Sequence, residues 1–167
     1  MSIFYEFEEV DAFTTGAIGE PGDRTFFLQA RQGRQRVAVK CEKQQVSAIV
    51  QYHERVLPDL PPPEERPMAG ALELVEPVEE AFVLGPIGLG YDRGSDRLIV
   101  QLEEMGSVDD DGEELVGYDG HIRLYVTRAQ AASFCEHAER IVAAGRPDCQ
   151  WCGNPIEPDG HACPRMN

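Results

Sequence analysis

Four side chains near the carboxyl end have the types and the spacing to hold one metal ion. Cys149 and Cys152 stand as C-x-x-C, which lets two thiolates reach one ion from a tight turn, with Gly153 giving that turn its backbone freedom. His161 and Cys163 return as H-x-C after eight intervening residues. In an extended segment positions two apart point to the same side, so this pair can complete a tetrahedron. Three cysteines and a histidine form a structural zinc set, with Asp159 or a water as the substitute should His161 not bind. Two other chemistries use the same residues. A redox C-x-x-C wants its first cysteine at a helix start after a strand, whereas here a helix end precedes it and Pro155 follows closely. An open catalytic metal site is the other.

The tail cannot order itself by burial. Trp151 and Ile156 are its main apolar groups, and Pro155, Pro158 and Pro164 exclude a long helix. Zinc supplies on the order of 10 to 16 kcal/mol in zinc-finger peptides, enough to replace the missing core. Trp151 would cover one side of the site or dock it on the body.

The rest of the chain must provide that body. Its 167 residues suit one ordinary domain and a short appendage, and 42% apolar with 27% charged residues is a globular composition. No run approaches the roughly 20 apolar residues of a membrane helix, and "MSIFYEFEEV" lacks a secretory signal's basic start and apolar stretch. The expected compartment is the cytoplasm, where thiols stay reduced and clustered cysteines are read first as metal ligands.

A net charge of −15 repels nucleic acid and anionic lipid. One local exception exists. Between 24 and 43, Arg24, Arg31, Arg34, Arg36, Lys40 and Lys43 face only Glu42, a segment charge of +5 that leaves −20 elsewhere. This basic stretch is the candidate contact for an anion or a partner. With Phe26 or Phe27 stacking on a base, it could grip single-stranded nucleic acid. Equally, Phe26, Leu28 and Ala30 face a core while the arginines guard a hairpin edge. Zinc does not help the nucleic-acid reading, since Arg146 and Arg165 against three acids, three thiolates and one Zn²⁺ leave the tail negative. The acidic run 103–114, "EEMGSVDDDGEE", is a solvated loop or a surface for a basic partner.

The elements follow from periodicity. Ile3, Tyr5 and Phe7 alternate as a half-buried strand, "TTGAIGEPGD" supplies turn residues, and "RTFFLQARQGRQRVAVK" predicts two strands about Gly33. Val46, Ile49, Val50, His53 and Leu57 recur at helical spacing, predicting a helix over 43–57 that Pro58 stops, with His53 as a core or boundary histidine. Five prolines in 58–67 predict a stiff linker. "AFVLGPIGLGY", "RLIVQLEEM" and "HIRLYV" predict strands, and Thr127 with Gln130 has capping-box spacing for a helix that buries Phe134, Ala138, Ile141 and Val142 and ends at Gly145. Gly85, Gly88 and Gly90 run opposite to a dinucleotide fingerprint and mark turns or bulges. Cys41 and Cys135 behave as small buried hydrophobes, and His121 and His137 have no partner identifiable from spacing. No G-x-S-x-G, S-x-x-K or H-E-x-x-H occurs.

With "CQWCGNPIEPDGHACPR", "RTFFLQA", "VKCEKQQVSA" and "RIVAAGRP", the chain resembles an uncharacterised actinobacterial family of about this length. The resemblance implies a cytoplasmic protein of unknown function with a zinc-ribbon-like end, and it transfers no catalytic residue. Gln150 stands where that family has a proline, which removes no ligand.

The expectation is an α+β fold, in which a mostly antiparallel sheet is covered by two helices from two similar strand–strand–helix halves. The body spans 1–145, as halves 1–57 and 68–145 joined by the linker 58–67, and 146–167 form the zinc tail. Expected function is non-catalytic zinc binding in a protein-binding or regulatory module, with an unidentified cytoplasmic partner and no membrane. The rivals are single-stranded nucleic-acid binding through 24–43 and an enzyme whose site only the fold would assemble.

Overall fold

Alternation of apolar and polar residues becomes seven strands in a computed structural model, which describes residues 4–20, 22–63, 69–106, 110–113, 120–143 and 150–152. The strands are β1 (Phe4–Phe7), β2 (Ala12–Ile18), β3 (Thr25–Gln32), β4 (Gln35–Cys41), β5 (Glu80–Asp92), β6 (Arg97–Glu104) and β7 (His121–Val126). Two helices, α1 (Lys43–Val56) and α2 (Arg128–Ala143), each follow a three-stranded antiparallel meander. The meanders join through a parallel β4–β5 pairing into one sheet, ordered β1-β7-β6-β5-β4-β3-β2.

This sheet cannot be flat. Only residues 8–11 separate β1 from β2, yet these strands are its opposite edges. Five chain steps span at most about 19 Å, whereas six strand spacings of about 4.8 Å would need about 29 Å. The sheet therefore curls back on itself. Phe13, Leu28, Ala30, Val37 and Val39 from the first meander meet Leu102, Ile122 and Leu124 from the second around a void of only about 10 Å³. The helices complete this core, with Phe134 of α2 stacked on Phe13 at 4.5 Å.

Both helices begin in the same way. Gln45 of α1 closes a capping box with Glu42, and its amide donates to the Leu84 and Gly85 carbonyls at 3.1 and 2.9 Å. Gln130 of α2 closes the box with Thr127, as its spacing predicts, and donates to the Val10 carbonyl at 2.5 Å. The sheet carries the same correspondence. Glu6 lies opposite Arg123, and Glu80 lies opposite Ala38. The step along the chain from Ala38 to Arg123 equals that from Gln45 to Gln130, and the step from Glu6 to Glu80 equals that from Val10 to Leu84. Thus β1 and β2 together match the single long β5, whose register shifts between Leu84 and Ile87. The molecule is a twofold internal repeat closed into one curl.

Several expectations change here. The helices start as predicted, but each follows a meander of three strands where the expected halves had two. Residues 14–18, expected to turn, belong to β2: Thr14 and Thr15 are β-branched and fully buried, and Gly16 serves packing. The amino-terminal strand pairs with β7 of the other half, in parallel, because its inward Phe7 (1% exposed) fills the core beside Leu124. Gly145 and residues 64–68 of the linker lie outside the described residues.

Candidate functional site

Half of the basic stretch is spent on the molecule's own backbone. Arg24 donates to the Ile141 carbonyl in the last turn of α2 at 2.9 Å while its guanidinium lies 4.9 Å over the Phe26 ring. Arg31 donates to the Ala71 carbonyl and Arg36 to the Pro77 carbonyl, at 3.3 and 3.2 Å. Arg34, Lys40 and Lys43 are exposed. The six residues do not converge on one anion pocket, because strand alternation and the β3–β4 turn send them in different directions. Phe26, Leu28 and Ala30 face the core, as expected, at 8%, 1% and 2% exposure.

Arg31 and Arg36 belong to a larger arrangement that sequence reasoning missed. On the outer side of β2, β3 and β4 the chain lays down its own segment 71–77 as a strap. Thr14 donates to the Leu72 carbonyl at 2.5 Å. The buried Gln29 amide donates to the Val75 carbonyl at 3.0 Å and accepts from the Val75 N–H at 2.8 Å, as a neighbouring strand would. Leu74 sits over Gly16 so closely that a Cβ there would lie 2.5 Å from Leu74 Cδ1. A buried glutamine in mid-strand was the available signal, since such a side chain must find partners.

A second polar cluster pins the β5–β6 turn. Asp96, at φ +53°, accepts from Tyr91 Oη at 2.6 Å and from Arg128 at 3.1 to 3.2 Å, and Arg128 also donates to the Pro61 carbonyl. The Tyr91 hydroxyl and the Arg128 guanidinium hold the Asp96 carboxyl below its usual range, and the same bond pushes the Tyr91 phenol up. This clasp ties the start of α2 to the turn and to the linker. Asp96 and Arg128 are separated by the whole of β6 and β7, so no spacing rule connects them.

At the helix interface Glu54 and Glu139, equivalent residues of the repeat, share a hydrogen bond that raises the Glu54 carboxyl. Beside them, desolvation pushes the Cys135 thiol up to about 12, and Cys41 likewise, so neither is a nucleophile near neutral pH. Both are buried as the sequence suggests. His53 is wholly buried with both ring nitrogens unpaired among the described residues, and its ring lies edge-on to Phe134. His137 Nε2 is 3.0 Å from the Thr15 carbonyl. Gly85, Gly88 and Gly90 lie in β5, where a bulge falls as expected. A groove of about 250 Å³ runs between the helices, lined by Ser47, Val50, Gln51, Ala138, Glu139 and Val142.

Of the proposed zinc ligands, Cys152 is partly exposed, while Cys149, His161 and Cys163 lie outside the described residues. Trp151 is 57% exposed. Among the described residues, no group of three or more His, Cys, Asp or Glu side chains could hold a metal ion. The end of the acidic run, at Glu114, also lies outside them, as do residues 107–109.

A family model for a protein of unknown function (DUF3090) matches residues 5–163. The chain belongs to that family. The DUF3090 match runs across both halves of the repeat and takes in Cys149, Cys152, His161 and Cys163. No curated protein and no solved structure matches the chain. Among the described residues no helix is long and apolar enough to cross a membrane.

Proposed function

We propose that this DUF3090 chain is a non-catalytic zinc-binding protein of the cytoplasm that acts as a protein-binding or regulatory module. One structural Zn²⁺ is held by Cys149, Cys152, His161 and Cys163. One observation carries the reading: the buried and clustered polar groups of the body serve the fold. Thr14, Gln29, Gln45, Gln130, Arg24, Arg31, Arg36 and Arg128 all turn to backbone carbonyls of the same molecule, and the interior of the curl is filled. The residues whose types and spacing suit metal chemistry are Cys149, Cys152, His161 and Cys163 of the tail. Three thiolates and one imidazole form a donor set suited to zinc, and closed tetrahedral sets of this kind are structural. The same observation weakens the nucleic-acid reading, because Arg24, Arg31 and Arg36 already have partners.

Native mass spectrometry should find about one zinc per chain, lost in Cys149→Ser and in Cys163→Ser. A folded chain that binds no zinc from a buffered zinc solution would end this reading.

A further inference from the structure

The six basic residues share no pocket, yet two of them are immediate neighbours. Arg31 and Arg36 stand directly opposite each other in the β3–β4 register. Leu28 and Ala30 on β3, and Val37 and Val39 on β4, point into the core, so alternation sends both arginines to the outer face. Side chains so placed start about 5 Å apart at Cβ, and like charges there repel each other.

Nothing negative separates them. The chain has 30 acidic residues against 15 basic ones, yet no described carboxylate lies within ion-pair distance of either arginine. Asp11, just before β2, takes the Gly33 N–H at 2.6 Å, and Glu80 lies beside Ala38, one row further along. The hydrogen bonds of the pair supply no charge either. Each arginine gives one of its five N–H groups to a strap carbonyl, Ala71 or Pro77, at 3.3 and 3.2 Å, longer than the about 2.7 to 2.9 Å of a bond to a carboxylate or phosphate. Arg31 Nε is buried with no partner among the described residues, whereas Arg36 is exposed and opens the pair to solvent. A guanidinium partly withdrawn from water gains more from a counter-anion than one in open solvent.

The same two residues hold both ends of the strap. The outward rows across β2, β3 and β4 are Ala12–Arg31–Arg36, Thr14–Gln29–Ala38 and Gly16–Phe27–Lys40. The strap enters at Arg31, crosses Thr14 to seat Leu74 on Gly16, and returns past Gln29 to Arg36. It is a U whose open mouth lies on the arginine row.

We propose that Arg31 and Arg36 form a binding site for a phosphate-type dianion, seated between the two guanidiniums at the mouth of the strap. Two adjacent guanidinium forks suit an oxyanion with three accepting oxygens and two charges, whereas a carboxylate or a phosphodiester brings charge for only one of them. Once bound, the anion removes the repulsion between the residues that hold the strap's ends, and the U closes more firmly. The site is independent of the tail and of any metal there.

Calorimetry of the full chain with inorganic phosphate, at an ionic strength held constant with chloride, should show one site. Arg36→Gln, at an exposed position, should weaken it at least tenfold, and so should Arg31→Lys, which keeps the charge and loses the fork. Arg34→Gln removes the same charge from the adjoining turn and should bind as the parent does. Phenyl phosphate binding as tightly as inorganic phosphate assigns the site to a phosphomonoester, and its exclusion assigns it to free phosphate. In hydrogen exchange, phosphate at about ten times its Kd should slow the amides of residues 72–76 about tenfold in the parent, with β6 and β7 unchanged. No heat and no slowing in the parent would overturn the site. Equal weakening by Arg34→Gln and Arg36→Gln would also overturn it, as diffuse attraction. Tighter binding of a single-stranded oligonucleotide through the same arginines would do so in favour of the nucleic-acid reading.

Discussion

His53 is the one described histidine whose two ring nitrogens are both buried and unpaired, and its counterpart in the second half is the small Ala138. Burial lowers the imidazole to about 4 in the folded protein, against 6.5 for an exposed histidine. Above pH 6.5 both folded and unfolded chains hold it neutral and it contributes no pH dependence. As pH falls from 6.5 through 4, the unfolded chain takes up the proton first, so folded stability is lost over that window, by about 3 kcal/mol at most. His53→Leu keeps comparable volume, removes two unsatisfied atoms and should remove this slope. Urea denaturation at pH 7 and pH 4.5 checks it: the variant should lose less stability than the parent on acidification, and equal losses would show that His53 is not the group responsible. The buried cysteines act at this scale too, as packing groups with thiols too basic to react.

Among the elements, the strap shows how a segment poor in regular structure is held in place. Gln29 replaces a missing neighbouring strand, and its two hydrogen bonds satisfy both polar groups of Val75. Gln29→Ala would leave those groups unpaired at a part-buried site, at a cost of about 1 kcal/mol or more. Limited proteolysis should then cut between 69 and 79 several-fold faster than in the parent, and an unchanged cutting rate would mean that Leu72 and Leu74 alone hold the strap. Helices, hairpins and the Thr127–Gln130 capping box were legible in the sequence because they depend on local periodicity and on residues three apart, whereas the Glu42–Gln45 box was not read there. The strap, the clasp at Asp96 and the course of β2 were not. Thr14-Thr15-Gly16 resembles a turn until Leu74, far along the chain, is seen to need the space above Gly16. The repeat itself was only partly visible, because what its halves share is contact geometry at Gln45 and Gln130, with little identity around them. The four residues proposed to hold zinc are a different case, since spacing alone picks them out and they lie mostly outside the described residues.

For the whole molecule, the decisive connection is the shortest strand. β1 carries only four residues, yet it pairs in parallel with β7 and hands the chain to β2 at the opposite edge, so each half is completed by the other. Phe7, at 1% exposure, sits at that junction, and Val10 just beyond it takes the bond from Gln130 at the head of α2. Two separable halves would unfold in separate steps; a single curl with one filled interior should unfold as a unit. Phe7→Ala distinguishes these. Truncating a buried phenylalanine costs about 3 to 5 kcal/mol. In one cooperative unit the slowest-exchanging amides of β3 and β4, which belong to the other half, lose the same protection as those of β6 and β7. Protection lost from β6 and β7 alone would show two independent units, and the curl would then be an assembly of lobes. The closure argument favours the first outcome, because β2, whose register holds β3 in place, continues directly from the strand that Phe7 anchors in the opposite half.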